Sequence, residues 1–272
     1  MRVRVGALAL LAMGCGSAAR SSPTFEYGPV DAPLRYGFTS YQSVAVETPM
    51  GNQASHDTLE ATVAITLGGV GDGGRTVTAA FETFSLRSRG DMGSRTVEGG
   101  ELIGKSLSGT LRPSGRIDIA ERPALPANLT DSFDPVAFFV DLLAPMPPGG
   151  NTSAPWPVRI EATSQTAMRI TGTYDGTARL AGDTTWNGVA AKIIVAVGTV
   201  QVQGSGTPSG SPAELDMKAS GTSTRRYVWD HEGGVLLAGV ARDSASGTIE
   251  VKGMGLTVPV TSSSSQTITI KR

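Results

Sequence analysis

The densest group of ionisable side chains in this 272-residue sequence is Asp230-His231-Glu232, which holds one of its two histidines. A carboxylate beside an imidazole suits zinc ligation or proton transfer. A metal site draws its ligands from several elements, so His56-Asp57 would have to approach this group in space. The favoured assignment is a polar hairpin tip, because strand patterns at Thr224 to Trp229 and Val235 to Arg242 flank Asp230 to Gly234. Two glycine strings have the spelling of phosphate loops. Gly99-Gly100-Glu101-Leu102-Ile103-Gly104-Lys105-Ser106 satisfies G-x-x-x-x-G-K-S, but that loop needs a helix after it, and the strand and turn residues Leu107 to Pro113 follow. Gly69 to Gly74 fits G-x-G-x-x-G and precedes the strand-like Arg75 to Ala79. Both strings are expected to be turns, and no nucleotide or other cofactor is expected. There is no G-x-S-x-G string, and no carboxylate pair is marked out for glycoside hydrolysis. The sequence therefore assigns no catalytic, cofactor-binding or metal-binding residue.

Cys15 is the only cysteine. Before it, Arg2 and Arg4 supply a positive start and Val5 to Met13 an apolar run too short to cross a hydrocarbon core of about 30 Å. This is the pattern of an export signal. The string Leu11-Ala12-Met13-Gly14-Cys15 resembles the lipobox of bacterial lipoproteins, with Ala12 standing where leucine is commonest. The resemblance covers residues 1–15 only. It implies a signal peptide over 1–14, cleavage before Cys15, and acylation of both the Cys15 sulfur and the new amino terminus. Several chains anchor firmly, since each buried CH₂ is worth about 0.8 kcal/mol and one chain holds only marginally. Gly16, in place of the aspartate associated with inner-membrane retention, implies the outer membrane, facing the periplasm or the cell surface. The alternative is an ordinary secretory signal cut after Ser17-Ala18-Ala19, which discards Cys15 and leaves a soluble periplasmic protein. Either way, an exported domain without a disulfide depends on its core.

Loss of residues 1–14 removes Arg2 and Arg4 and takes the formal charge from −1 to −3. That balance gives no electrostatic reason to expect nucleic acid. With 35 glycines, 17% charged residues and abundant threonine, serine and valine, the chain fits strands joined by tight turns. The expected fold is mainly β: a curved, largely antiparallel sheet or open half-barrel with bulged long strands and one short packed helix. Residues 15–33, with three prolines and no periodicity, suit a lipidated N-terminus and tether. Residues 34–272 form one β-rich domain, with halves 34–125 and 156–272 that share a strand pattern and are joined by 126–155.

The clearest strand is Leu59 to Leu67, whose odd residues are all apolar. Arg75 to Leu86 returns with Val77, Ala79 and Phe81 inward, then slips phase to Phe84 and Leu86, which predicts a bulge at Glu82 and Thr83. The same argument places a bulge at Gly198, between Ile193, Val195, Val197 and Val200, Val202. Ser106 to Leu111 and Arg116 to Ala120 flank the turn Arg112-Pro113-Ser114-Gly115. Leu256 to Ile270 keeps one apolar parity through Ser262 to Ser265, and Pro259 within it points to a sheet edge. The predicted helix starts at a cap, Asp134, with Pro135 at its first position. Val136, Phe139, Val140 and Leu143 form its stripe, and Asp131 lies near its positive end. Its apolar side is expected on the concave face of the sheet.

Three functions compete. The first is a non-catalytic envelope lipoprotein whose helix-closed sheet binds a hydrophobic ligand or an envelope protein. Its architecture would resemble the open half-barrels of bacterial lipoprotein and lipid carriers, with no motif in common. The second is an envelope hydrolase of glycan or peptide, which requires Asp230, His231, Glu232, His56 and Asp57 to converge; Trp156, Trp186 and Trp229 would then stack on sugars or simply pack on the sheet. The third, a transmembrane β-barrel, is disfavoured because aromatic residues make up only 6% of the chain, too few for two girdles.

Overall fold

The computed structural model describes residues 25–49, 51–91, 93–125, 129–130, 132–140, 142–166, 168–208 and 213–271. Cys15, the signal over 1–14, the tether before Phe25 and Asp131 lie outside them. Twelve strands follow one another as β1 (Leu34–Thr48), β2 (Gly51–Gly71), β3 (Gly74–Gly90), β4 (Gly93–Glu98), β5 (Ser106–Leu111), β6 (Ile117–Glu121), β7 (Trp156–Gln165), β8 (Met168–Trp186), β9 (Val189–Gly206), β10 (Leu215–Asp230), β11 (Val235–Val251) and β12 (Leu256–Lys271). They form a single antiparallel sheet in the order β6-β5-β3-β2-β1-β12-β11-β10-β9-β8-β7, with β4 on the upper part of β3. The sheet curls into a half-barrel whose one α-helix among the described residues, α1 (Pro135–Val140), touches both edge strands, β6 and β7. We call the end with the β2–β3, β8–β9 and β10–β11 turns the lower end. The β1–β2, β3–β4 and β11–β12 turns mark the upper one.

The period-two patterns give the inner face. In β2, Ala61, Val63, Ile65 and Leu67 are all buried, as their parity requires. Thr62 pairs with Thr83 and Val63 with Phe81, so Glu82 is the extra residue of a bulge. That bulge lets Phe81 and Phe84 both face inward, their rings 5.8 Å apart. The bulge expected at Gly198 is absent. The β9–β10 register is continuous from Lys192 to Gly206, and the inward parity is Ile194, Ala196, Gly198, Val200 and Val202, leaving Val197 59% exposed. Ile193 to Val197 is apolar at every position, so the alternation that sets register elsewhere is missing there. The irregularity of this hairpin lies instead on β8, between Leu180 and Gly182.

Strand β12 is not an edge: it lies between β1 and β11. The β1 ladder stops at Val46–Val260, and Pro259 sits one residue past it, paired only with Thr248 of β11. A proline needs only its own missing N–H to be free of a partner, and the end of a neighbouring strand suffices. The serine run Ser262 to Ser265 is paired on both sides, as expected of strand.

The helix has the expected cap, with Val136 N–H donating to Asp134 Oδ1 at 2.8 Å. It ends at Val140, earlier than the stripe through Leu143 implied. The Ala144 N–H and carbonyl are instead both bonded to the Tyr27 hydroxyl, at 2.8 and 3.2 Å, and Pro145 disfavours helix at the residue before it. Gly115, with φ +86°, lies against the Ala144 carbonyl where any Cβ would collide. The last residues of the expected tether prove to be core: Phe25 is 2% and Tyr27 6% exposed, and Gly28 N–H donates to the Gly234 carbonyl at 2.9 Å.

Candidate functional site

The hydrolase constellation does not assemble. His56 is exposed in β2 and pairs with Ser43 of β1, which is level with Ser263, Ser244 and Thr222 on the next three strands. Asp230 lies eight residues beyond Thr222 along β10, so the two groups are offset by about 26 Å along the strands at ~3.3 Å per residue, with three strands between them across the sheet. Asp230 works as a turn residue: its Oδ1 accepts from the Glu232 and Gly233 amides at 3.0 and 2.8 Å. Among the described residues no group of three or more His, Cys, Asp and Glu side chains is placed to hold a metal.

The string Gly99 to Ser106 contains one 3₁₀ turn, Gly100–Leu102, which buries Leu102 fully and leads into β5. Lys105 Nζ donates to the Ala124 carbonyl at 3.3 Å. With a strand in place of a helix after it, no cradle of amides and helix dipole forms. Gly69 to Gly74 runs through the end of β2 into the β2–β3 turn. Trp156 and Trp229 are core residues, 3% and 0% exposed, and Trp186 packs on an outer cluster with Val228 and Leu237.

The inner face is divided into three zones. The lower zone is an aromatic core that the helix fills: Phe138 meets Phe38 at 4.5 Å and Phe81 at 5.6 Å, while Phe139 meets Phe81 at 5.4 Å and Phe133 meets Phe84 at 4.8 Å. Above it a polar row crosses seven strands at one level. Arg95 pairs with Ser88, Ser88 with Asp57, Asp57 with Gln42, Gln42 with Ser264, Ser264 with Asp243, and Asp243 with Ser223. The upper zone returns to apolar and small residues, among them Val44, Val46, Val260, Ile249 and Met217.

The polar row is most buried at β10 and β11. Arg225 is 6% exposed; its guanidinium lies 4.5 Å over the Tyr174 ring, and its Nε donates to Ser223 Oγ at 3.3 Å. Asp243 Oδ1 is 4.0 Å from Arg225, and Ser264 Oγ donates to Asp243 Oδ2 at 2.9 Å. The Tyr174 ring lies across Gly176, where a Cβ would meet its hydroxyl. A buried guanidinium is costly unless paired and stacked, and these neighbours supply that compensation. The sequence reading missed Arg225. Its signal was parity: in Arg225-Arg226-Tyr227, Arg225 shares a face with Tyr227 and Trp229, while Arg226 points outward. The row thus sets the Ser223 and Ser264 hydroxyls and the Asp243 carboxylate around one buried guanidinium.

Where the row reaches β3 and β4, an open groove of about 410 Å³ lies on the upper inner face. Its walls include Val44, Val46, Ser55, Ser88, Gly90 and Arg95. The outer face is the inverse of a membrane-spanning barrel, with Lys218, Arg226, Arg242 and Glu250 exposed where lipid would have to be. No described helix is long and apolar enough to cross a membrane.

The fold and the inner face thus define a curled antiparallel half-barrel plugged by its own helix. No family model matches the sequence, and no curated protein does. Solved structures give faint likenesses. One is a domain described as an outer membrane lipoprotein-sorting protein from Vibrio parahaemolyticus, 11% identical over 87% of this chain and 83% of that one, TM-score 0.16. Another is OmpT, an outer membrane protein of Vibrio cholerae, 10% identical over 87% of this chain and 96% of that one, TM-score 0.15. Scores this low define no common fold, and the functional reading rests on the geometry of this chain.

Proposed function

We propose that this is an exported cell-envelope protein of non-catalytic type, anchored to the outer membrane by lipid at Cys15, which binds a hydrophobic ligand or an envelope partner on the inner face of its sheet. The observation that carries the binding reading is the division of that face. The helix packs its phenylalanines into the lower zone, while the upper apolar zone carries an open groove of about 410 Å³, within the size range of small-molecule sites. The anchor rests on the lipobox resemblance. Ten residue steps separate Cys15 from Phe25, a reach of at most about 35 Å from the membrane to the lower end of the half-barrel.

Labelled palmitate fed to expressing cells tests the anchor. Label is expected in the wild-type protein and absent after Cys15→Ser, and undiminished labelling of the variant would refute it. Native mass spectrometry tests the binding half. A co-purifying lipid or apolar compound is expected, and a protein that stays empty when offered such compounds refutes the ligand reading.

A further inference from the structure

We propose that the outer face of β8–β11, near the lower end, rests on an acidic lipid surface as a peripheral contact beside the Cys15 anchor; this goes beyond the inner-face site, and its orientation rests on the anchor reading. The outer face of β9 is apolar where a solvent face would be polar. Val189, Ile193 and Val195 are half-buried there, and Val197 is 59% exposed. Trp186 closes the foot of this stripe on the cluster of Val228 and Leu237, and Val240 continues it onto β11. A single exposed valine is ordinary, but a contiguous apolar run over several strands marks a contact surface.

Positive charge frames the stripe. Arg179 pairs with Val195, Val195 with Arg226, and Arg226 with Val240, so two guanidiniums alternate with two valines at one level of the outer face. Arg242 stands one outward position higher on β11. All three arginines are exposed, and none has a hydrogen-bond or ion-pair partner among the described residues. From the level of Val197 down to Trp186, the outward positions of β8–β11 hold no carboxylate. Asp183 is held by Lys192 and Asp175 by Arg159, which leaves the exposed Glu232 of the β10–β11 turn against three free cations. Tyr41, 57% exposed, is level with Arg242 across Ser265.

A headgroup layer matches this pattern. Guanidiniums donate charge-assisted hydrogen bonds to lipid phosphates, while valine, tyrosine and tryptophan side chains enter the zone just beneath. A hydrocarbon core would expel the arginines, so the contact stays peripheral. The N-terminal segment arrives at the same place. Gly28 is bonded to Gly234 of the β10–β11 turn, so the chain leading back to Cys15 leaves from the foot of these strands.

The test uses residues 15–272 carrying Cys15→Ser, which keeps every described residue, lacks the apolar run of the signal and has no thiol. It is sedimented with vesicles of phosphatidylcholine, alone or with about one-third phosphatidylglycerol. Binding is expected on the acidic vesicles only and should fade as salt rises. The triple variant Arg179→Gln/Arg226→Gln/Arg242→Gln should weaken it by about fivefold per arginine, with the thermal midpoint unchanged. A nitrobenzoxadiazole probe on Val197→Cys should shift to the blue on acidic vesicles, whereas the same probe on Thr248→Cys, on the upper outer face of β11, should not. Equal binding to both vesicles, binding undiminished in the triple variant, or equal shifts at the two probes overturns the inference. Binding to neither vesicle also overturns it and gives the patch to a protein partner, while the palmitate experiment still decides the anchor.

Discussion

At the residue scale, the inner face places a few polar groups in apolar surroundings, and each has a measurable consequence. Burial raises the Tyr27 hydroxyl pKa well above its ordinary value of 10.0 and likewise raises that of Tyr36, whose hydroxyl donates to the buried Leu236 carbonyl at 2.9 Å. The folded state therefore holds both protons after the unfolded chain has released them. Stability is unaffected below pH 10 and falls above it, with a slope approaching about 2.7 kcal/mol per pH unit. Urea unfolding at pH 8, 10 and 11 measures this. Tyr36→Phe should halve the alkaline slope while costing about 1–2 kcal/mol at pH 8, because the Leu236 carbonyl loses its donor. Arg225→Ala should cost about 2–3 kcal/mol by the same assay, since it strips Tyr174 of its stacked cation and Asp243 of its nearest positive charge. Of these residues the sequence pointed to none. A charge acquires its role from the face it is on, and that face is legible only once a neighbour such as Tyr227 is known to be inside.

At the scale of elements, what decides legibility is whether polar residues mark one side of a strand. In β2 and β3 they do, with Thr62, Thr66, Thr78 and Glu82 interrupting the apolar positions, and both the alternation and the bulge at Glu82 could be read directly. In β9 the run Ile193 to Val197 has no polar marker, and the buried set is Ile194 and Ala196 in place of the expected Ile193, Val195 and Val197. A pair of substitutions checks the corrected phase. Val197→Lys, on the outer face, should change stability by no more than about 0.5 kcal/mol. Ala196→Lys, at a position with no exposure, should cost several kcal/mol or prevent folding, because it buries an unpaired ammonium. Equal tolerance of the two would return the face to Val195 and Val197. The helix was legible from its cap and first proline, but its length was not. Its last expected turn is replaced by long-range bonds from Tyr27 to Ala144, 117 residues away in the chain, which no local pattern encodes.

At the scale of the molecule, a sheet eleven strands across from β6 to β7 needs something to hold its curl. The strands before the helix and those after it meet through one ladder, β1 with β12, and the edges β6 and β7 are bridged by α1. The N-terminal segment completes this lower closure. The Tyr27 ring packs edge-on to Trp229 at 4.8 Å, its hydroxyl clamps Ala144, and its carbonyl accepts from Arg75 Nε at 2.6 Å. One residue thereby ties β10, the segment after the helix and β3 together. A tether would be indifferent to substitution; a strap built into the core is not. Phe25→Ala and Tyr27→Ala should each cost about 3–5 kcal/mol, as for other buried aromatics, whereas Tyr27→Phe, which keeps the ring and loses the clamp, should cost about 1–2 kcal/mol. Hydrogen exchange separates packing from clamping: in Tyr27→Phe the Ala144 amide should exchange faster while the β10–β11 ladder stays protected. Uniform loss of protection across the sheet would show instead that the hydroxyl sustains the whole fold.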